Sequence, residues 1–224
     1  MELRKEPLVN GCYYHVFSRS IAKYEIFNDA EEYFRMLDIL RLYRFTDFKY
    51  RYAKFKELEV QTQNAIIYDL ENNSSVMVEI VAYCLMPTHI HLLLKQIINH
   101  GISKYLGKIL NSYSRFFNER HKRTGPLWTG RFKSVLVKTD EQLLHLMRYL
   151  HLNPTSAGLV DNPQEWSFSS YRESIDPNNK EGFCSFGDLF DLSPAQYEKF
   201  VLNQKAYQRE LALIKNLLID DYTG

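Results

Sequence analysis

The chain has 224 residues, of which 45% are hydrophobic and 25% charged, and its formal net charge is +1. This allows one domain with a full core, with or without an appendage, and the near-neutral total does not by itself announce a nucleic-acid partner. No apolar run reaches the length of a transmembrane helix, "MELRKEPLVNG" carries no signal-peptide apolar region, and Cys12, Cys84 and Cys184 are scattered. These features argue against a membrane span, a secreted disulfide framework and a thiolate zinc site, and a cytoplasmic protein is expected.

"YYHVFSRS" (13–20) is aromatic and β-branched enough for a strand. Residues 29–48 read as a helix, with Asp29 and Glu32 as a capping box and Phe34, Leu37, Leu40 and Phe45 as the apolar stripe. Residues 49–78 are polar and irregular, an expected insertion with room for one helix. "MVEIVAYCLM" (77–86) and "HIHLLLK" (89–95) read as strands joined through "PT" as a hairpin. Residues 102–121 form an amphipathic helix with Ile102, Leu106, Ile109, Leu110, Tyr113, Phe116 and Phe117 at helical spacing. "TGPLWTGR" (124–131) is a loop and "SVLVK" (134–138) a short strand. Thr139 and Gln142 then cap a helix that Pro154 is expected to stop near Asn153. The order strand, helix, strand, strand, helix, strand is that of a β-α-β-β-α-β sheet, with one helix added. Residues 176–224 read as a mostly helical, polar tail.

Three constellations carry chemistry. In "HIHLLLK" the side chains of His89 and His91 fall on one face of the strand, and neutral imidazoles so placed can grip a divalent metal. An H-x-H strand is, equally, a common half-exposed polar face, and a metal needs a further ligand. In "DEQLLHLMRYLHLN" (140–153), Leu143, Leu144, Met147 and Leu150 form the buried side, while Gln142, His145, Tyr149 and Asn153 form a polar stripe. An Asn153 carbonyl could complete a Mg²⁺ or Mn²⁺ site beside Tyr149, whose phenolate could attack a metal-bound phosphodiester. With 16 tyrosines in the chain, spacing alone does not select this one. Third, Arg115, Arg120, Lys122, Arg123, Arg131, Lys133 and Lys138 stand against Glu119 alone, interleaved with His121, Trp128 and Phe132. Cations with aromatic stacking faces suit a nucleic-acid groove, whereas a bare charge run suits a solvated face.

The opening "YYHVFSRSIAKYEIF", the stretches "MPTHIHLLLK" and "FFNERHKRTGPLWTGRFKS", and "YLHLNPTSAGLV" followed by "WSFSSY" together resemble the single-tyrosine transposases of the IS200 group, and within it the REP-associated tyrosine transposases. The resemblance spans about residues 10–172. It implies an α+β, ferredoxin-like HUH nuclease fold with an additional catalytic helix, a domain over 1–172 that includes the 49–78 insertion, and a helical C-terminal extension over 173–224. It also implies that His89 and His91 are the paired metal ligands, Asn153 the third ligand, and Tyr149 the nucleophile. The rival, Tyr113, falls in an apolar stripe. The implied activity is that of a Mg²⁺- or Mn²⁺-dependent endonuclease and strand transferase on single-stranded DNA near hairpins. It would leave a 5′-phosphotyrosine and a 3′ hydroxyl, with Arg115, Arg120, Lys122, Arg123, Arg131 and Lys133 tracking the backbone and Trp128 stacking on a base or pinning its loop. A monomer and a homodimer supplying Tyr149 in trans are both compatible with it. The alternatives are a structure-specific DNA or RNA binder that no longer cleaves, and a nuclease that processes DNA without mobilising it.

Overall fold

The computed structural model describes residues 7–176, 182–186, 189 and 191–203. In chain order these form β1 (Tyr13–Arg19), α1 (Ala30–Tyr43), α2 (Tyr52–Lys56), α3 (Val60–Asn73), β2 (Val78–Met86), β3 (His89–Gln96), α4 (Gly101–Arg120), β4 (Lys133–Val137), α5 (Asp140–Ser156), α6 (Tyr171–Ile175) and α7 (Pro194–Leu202). The four strands form one antiparallel sheet in the order β2-β3-β1-β4. This is an α+β fold with ferredoxin-like connectivity, as the sequence pattern predicts.

Strand alternation divides the sheet into two faces. Val16, Ile80, Leu85, Ile90, Leu92 and Leu94 are fully buried and pack into one cluster with the apolar sides of α1 and α4. Ala82, Cys84, Met86 and Leu93 point to the other face, where Leu143, Met147 and Leu150 of α5 cover them. The β2–β3 register shifts between Ile80 and Ala82, and this bulge gives Val81 to the α5 side as well.

Several boundaries differ from the sequence pattern. α1 starts as predicted, with the Asp29 side chain accepting from Glu32 N at 3.1 Å. It ends at Tyr43, however, and its buried stripe is Tyr33, Met36, Ile39, Leu40 and Tyr43, while Phe34 is 56% exposed. The stretch holds two overlapping helical registers one residue apart, and the one with tyrosine and methionine faces the core. The insertion carries two helices, α2 and α3, and it is not peripheral throughout, since Tyr52, Phe55 and Leu70 are core residues. Pro154 does not stop α5, which runs on to Ser156. In the last turn a proline costs only one intrahelical bond, because the following amides find other carbonyls. Ala157 N donates to Asn153 O and Leu159 N to Pro154 O, and Gly158, at φ +73°, turns the chain away.

The described part of the tail folds back. α7 packs on α5, where Tyr197 OH and Ser170 Oγ each lie 2.8 Å from a ring nitrogen of the fully buried His151. Phe183 stacks on Tyr83 at 5.2 Å, and Ser185 N donates to Ile80 O along β2. The tail's predicted helical continuation beyond residue 203 lies outside the described residues. None of the helices among them is long and apolar enough to cross a membrane.

Candidate active site

The site begins in β3. Its neighbours fix which side chains share the α5 face, because residues directly opposed across antiparallel strands point the same way. Cys84, His91, Phe17 and Lys133 form one row across the sheet, and Met86, His89 and Arg19 form the next. The imidazoles of His89 and His91 lie 4.9 Å apart, edge to face.

Each ring is held through Nδ1. His89 Nδ1 is 2.9 Å from Thr88 Oγ1, and His91 Nδ1 is 3.0 Å from His15 Nε2. Partners on Nδ1 fix the ring planes, and in the tautomer in which Nδ1 donates they leave the Nε2 lone pair free, as metal-ligating histidines are commonly supported. Both rings are kept neutral. Burial, with Arg19 adding to it, lowers the His89 pKa to about 4. Burial lowers His91 well below its usual range, and His89, His15 and Arg19 push the same way.

α5 lays Tyr149 against His91 and His15 from within the same chain. The Tyr149 ring centroid is 6.0 Å from that of His91 and 6.2 Å from that of His15, both edge to face. Burial raises the Tyr149 pKa, and the Arg19 charge opposes that rise. Asn153 follows one turn later on α5, half-buried, and its Nδ2 is buried without a hydrogen-bond partner. The two amide atoms of an asparagine are interchangeable by a flip, so this orphaned position can present an oxygen as well as a nitrogen. No group of three or more His, Cys, Asp or Glu able to hold a metal occurs among the described residues. Asn153, with an unsatisfied buried amide, offers an oxygen-donor chemistry that His, Cys, Asp and Glu do not supply beside His89 and His91 among the described residues.

The rival Tyr113 is fully buried, its hydroxyl donating to Ile26 O, and burial raises its pKa far out of the useful range. Cys84 is a buried neighbour of His91 whose pKa burial likewise raises, so it is a packing residue rather than a thiolate.

The basic residues named from sequence do not form one surface. Lys133 lies on the histidine face, two strands from His91, which is roughly 10 Å at the usual strand spacing. Lys122 and Arg131 are exposed. Arg120 is engaged by Asp29 and Glu31, each at 2.6 Å, and by Glu32 at 3.5 Å, so three α1 carboxylates hold the guanidinium that the charge run offered to DNA. Arg123 donates to Asn118 Oδ1 and Pro126 O and sits over the Tyr24 ring, which orders its own loop. Trp128 bridges to Ser20 and donates from Nε1 to Leu110 O at 3.2 Å, so it pins the loop to the core. Arg115 points from α4 on the opposite layer of the fold, into a cleft described below.

Sequence reading missed His15, Arg19 and Thr88. The signal was present: "HVFSR" alternates His15, Phe17 and Arg19 on one face, but only the β1–β3 pairing shows that this face is the histidine face.

An antiparallel α+β sheet with a tyrosine-bearing helix over paired histidines defines the general class. Over residues 42–153 the chain matches the model of the family described as IS200-like transposases, and it belongs to that family. The matched stretch contains His89, His91, Tyr149 and Asn153. Over 107 residues the chain is 28% identical to a Haemophilus influenzae protein named as a REP-associated tyrosine transposase, an alignment that covers 43% of this chain and 61% of that relative. Among solved structures, a REP-associated tyrosine transposase bound to a REP hairpin superposes with TM-score 0.53 at 15% identity, covering 87% of this chain and 96% of the other, which supports the shared fold. A chain solved as a transposase of Deinococcus radiodurans aligns at 19% identity, 65% and 92% coverage and TM-score 0.35, too low to add to that argument.

Proposed function

We propose that this transposase-family chain cuts and rejoins single-stranded DNA, using Tyr149 as the nucleophile. The observation that carries this reading is the position of Tyr149, packed over His91 and His15 of its own chain. His89 and His91 through Nε2, and Asn153 through its amide, would hold one Mg²⁺ or Mn²⁺. When bound, that ion would withdraw charge from the scissile phosphate and orient it.

The chain's own residues do the rest. The Tyr149 phenol loses its proton, and the Arg19 charge favours the phenolate that burial disfavours. The phenolate oxygen bonds to phosphorus as the bond from phosphorus to the 3′ oxygen breaks. The leaving oxygen takes a proton, which yields a 3′ hydroxyl and a 5′-phosphotyrosine. One phosphoester replaces another, so a 3′ hydroxyl can later reverse the step on a second strand without an added energy source. His15 and Thr88 hold the two imidazoles in place, and Lys133 with Arg19 supplies positive charge on the same face.

The solved neighbour's hairpin ligand suggests the substrate to try. Labelled single-stranded DNA carrying a hairpin is incubated with the protein and Mg²⁺ or Mn²⁺, then run on a denaturing gel. A protein–DNA adduct is expected for the native chain and none for Tyr149→Phe or His89→Ala. Tight hairpin binding with no adduct across a broad substrate set would replace this reading with the non-cleaving binder.

A further inference from the structure

A second basic surface lies on the α1/α4 layer, with the sheet between it and the histidine pair. α4, α1 and the segment 46–53 enclose a cleft of about 920 Å³. Its lining carries Arg35, Lys49, Arg51, Lys104, Lys108 and Arg115 with one carboxylate, Glu119, while Asp38 lies behind Tyr52 within electrostatic reach of Arg35, in a chain whose net charge is only +1. None of these six cations is in an ion pair among the described residues. This is unlike the fate of Arg120 one turn further along α4.

The arrangement is more than a solvated charged face. Arg35 lies 4.0 Å from the centre of the Tyr52 ring and 4.9 Å from that of Phe116, and its Nε is buried without a hydrogen-bond partner. Lys104, Lys108 and Arg115 repeat at helical spacing along α4 and form a stripe about 16 Å long, at 1.5 Å rise per residue. Gly107 lies within the continuous helix between Lys104 and Lys108, and a Cβ there would meet nothing. Packing does not require that glycine, and in a helix it is less stable than alanine. It does leave the α4 backbone open to close approach. Tyr50, 44% exposed, offers a ring face beside the cations, while the Phe116 ring is already covered by Arg35.

An unpaired cation stripe with an aromatic face matches a phosphodiester backbone whose bases are free to stack. A small anion would leave most of the stripe unused. We propose that this cleft binds a single-stranded DNA segment, as a second contact distinct from the Tyr149 site. The proposal rests on the reading of the chain as a DNA-acting protein. It assigns a role to residues 49–53 of the insertion, which help to build one wall.

The test is fluorescence anisotropy of labelled oligothymidylate with the full chain in EDTA, from about 50 to about 200 mM NaCl. Lys104→Glu/Lys108→Glu is expected to weaken binding at least about tenfold and to flatten the log–log salt slope by about 1.4, two single-strand phosphate contacts. Tyr50→Ala is expected to weaken binding about fivefold or more with the slope unchanged, as lost stacking would. Lys104, Lys108 and Tyr50 are exposed, and a circular dichroism melt confirms that each variant folds. Native-like affinity in the double variant would overturn the proposal. So would tighter binding of a blunt duplex that the double variant loses equally, since the cleft would then take paired DNA. Because the probe has no hairpin and no metal is present, the two readings fail separately. An adduct in the hairpin assay with unchanged oligothymidylate binding by the double variant removes the cleft alone. Cleft-dependent binding without any adduct removes the nuclease reading alone.

Discussion

His15 is the residue whose role the geometry defines most narrowly. It shares a hydrogen bond with His91 Nδ1 and flanks Tyr149, so under the proposed function it would hold His91 in place for the metal. His15→Ala is expected to lower Mn²⁺ affinity, read by calorimetry, by about 10- to 100-fold, the usual effect of removing such a support. His15→Gln, which keeps an acceptor, is expected to recover part of that loss, whereas affinity within twofold of native in His15→Ala would show that the contact does not matter. Tyr113 gives the opposite expectation. Its hydroxyl is buried on a backbone carbonyl, so Tyr113→Phe should cost about 1 kcal/mol in a denaturant melt and leave adduct yield unchanged. The shared face of His89 and His91 was legible from "HIH", whereas Tyr149 was singled out among 16 tyrosines by the family resemblance of "RYLHLNP" and not by its spacing. His15 and Arg19 were not legible, because their relevance depends on which strand β1 pairs with and in which register. A pattern of period two shows that a strand has two faces but does not say what lies opposite.

Among the elements, α5 does most to build the site, because it is packed on both sides. Leu143, Met147 and Leu150 press on the sheet, while His151 reaches back to Ser170 and Tyr197. His151→Ala would leave two buried hydroxyls with one fewer partner and a void between α5 and α7. A loss of about 2–4 kcal/mol is expected, seen as a melting temperature lower by roughly 4–16 °C for a chain of this size. A change under about 1 kcal/mol would mean that α7 does not brace α5. α1 tests the corrected stripe. Met36→Ala should cost about 2–5 kcal/mol and Phe34→Ser less than about 1 kcal/mol, the reverse of what the predicted stripe implied. Helix existence was readable from capping and period. The phase of α1 was not, since two registers one residue apart both looked apolar. Pro154 misled for a related reason: proline near a helix end loses a single bond, and local rules overstate that loss when the next carbonyls are satisfied.

For the whole molecule, the sheet separates two chemistries. The histidine face carries Tyr149, and the α1/α4 layer carries the unpaired cations. The sequence did not show the second of these, because its cations are spread from Arg35 to Arg115 and meet only in the fold. The local run from Arg115 to Lys138 stood out instead, although Arg120 and Arg123 in it are occupied by protein groups. The fold sets the Tyr149 ring 6.0 Å from that of His91 in its own chain, and on the proposed reading the tyrosine acts in cis. Mixing His89→Ala with Tyr149→Phe is therefore expected to restore no adduct, and a restored adduct would mean that the tyrosine acts in trans.

The central claim is that Tyr149 becomes covalently joined to DNA. The most direct measurement is mass spectrometry of the adduct after nuclease trimming and trypsin digestion. The peptide from Tyr149 to Arg172 also contains Tyr171, so the modified position is read by fragmentation. A nucleotide 5′-phosphate on Tyr149 is expected. The same mass on Tyr171 or Tyr113, or an adduct at no tyrosine, would contradict the account.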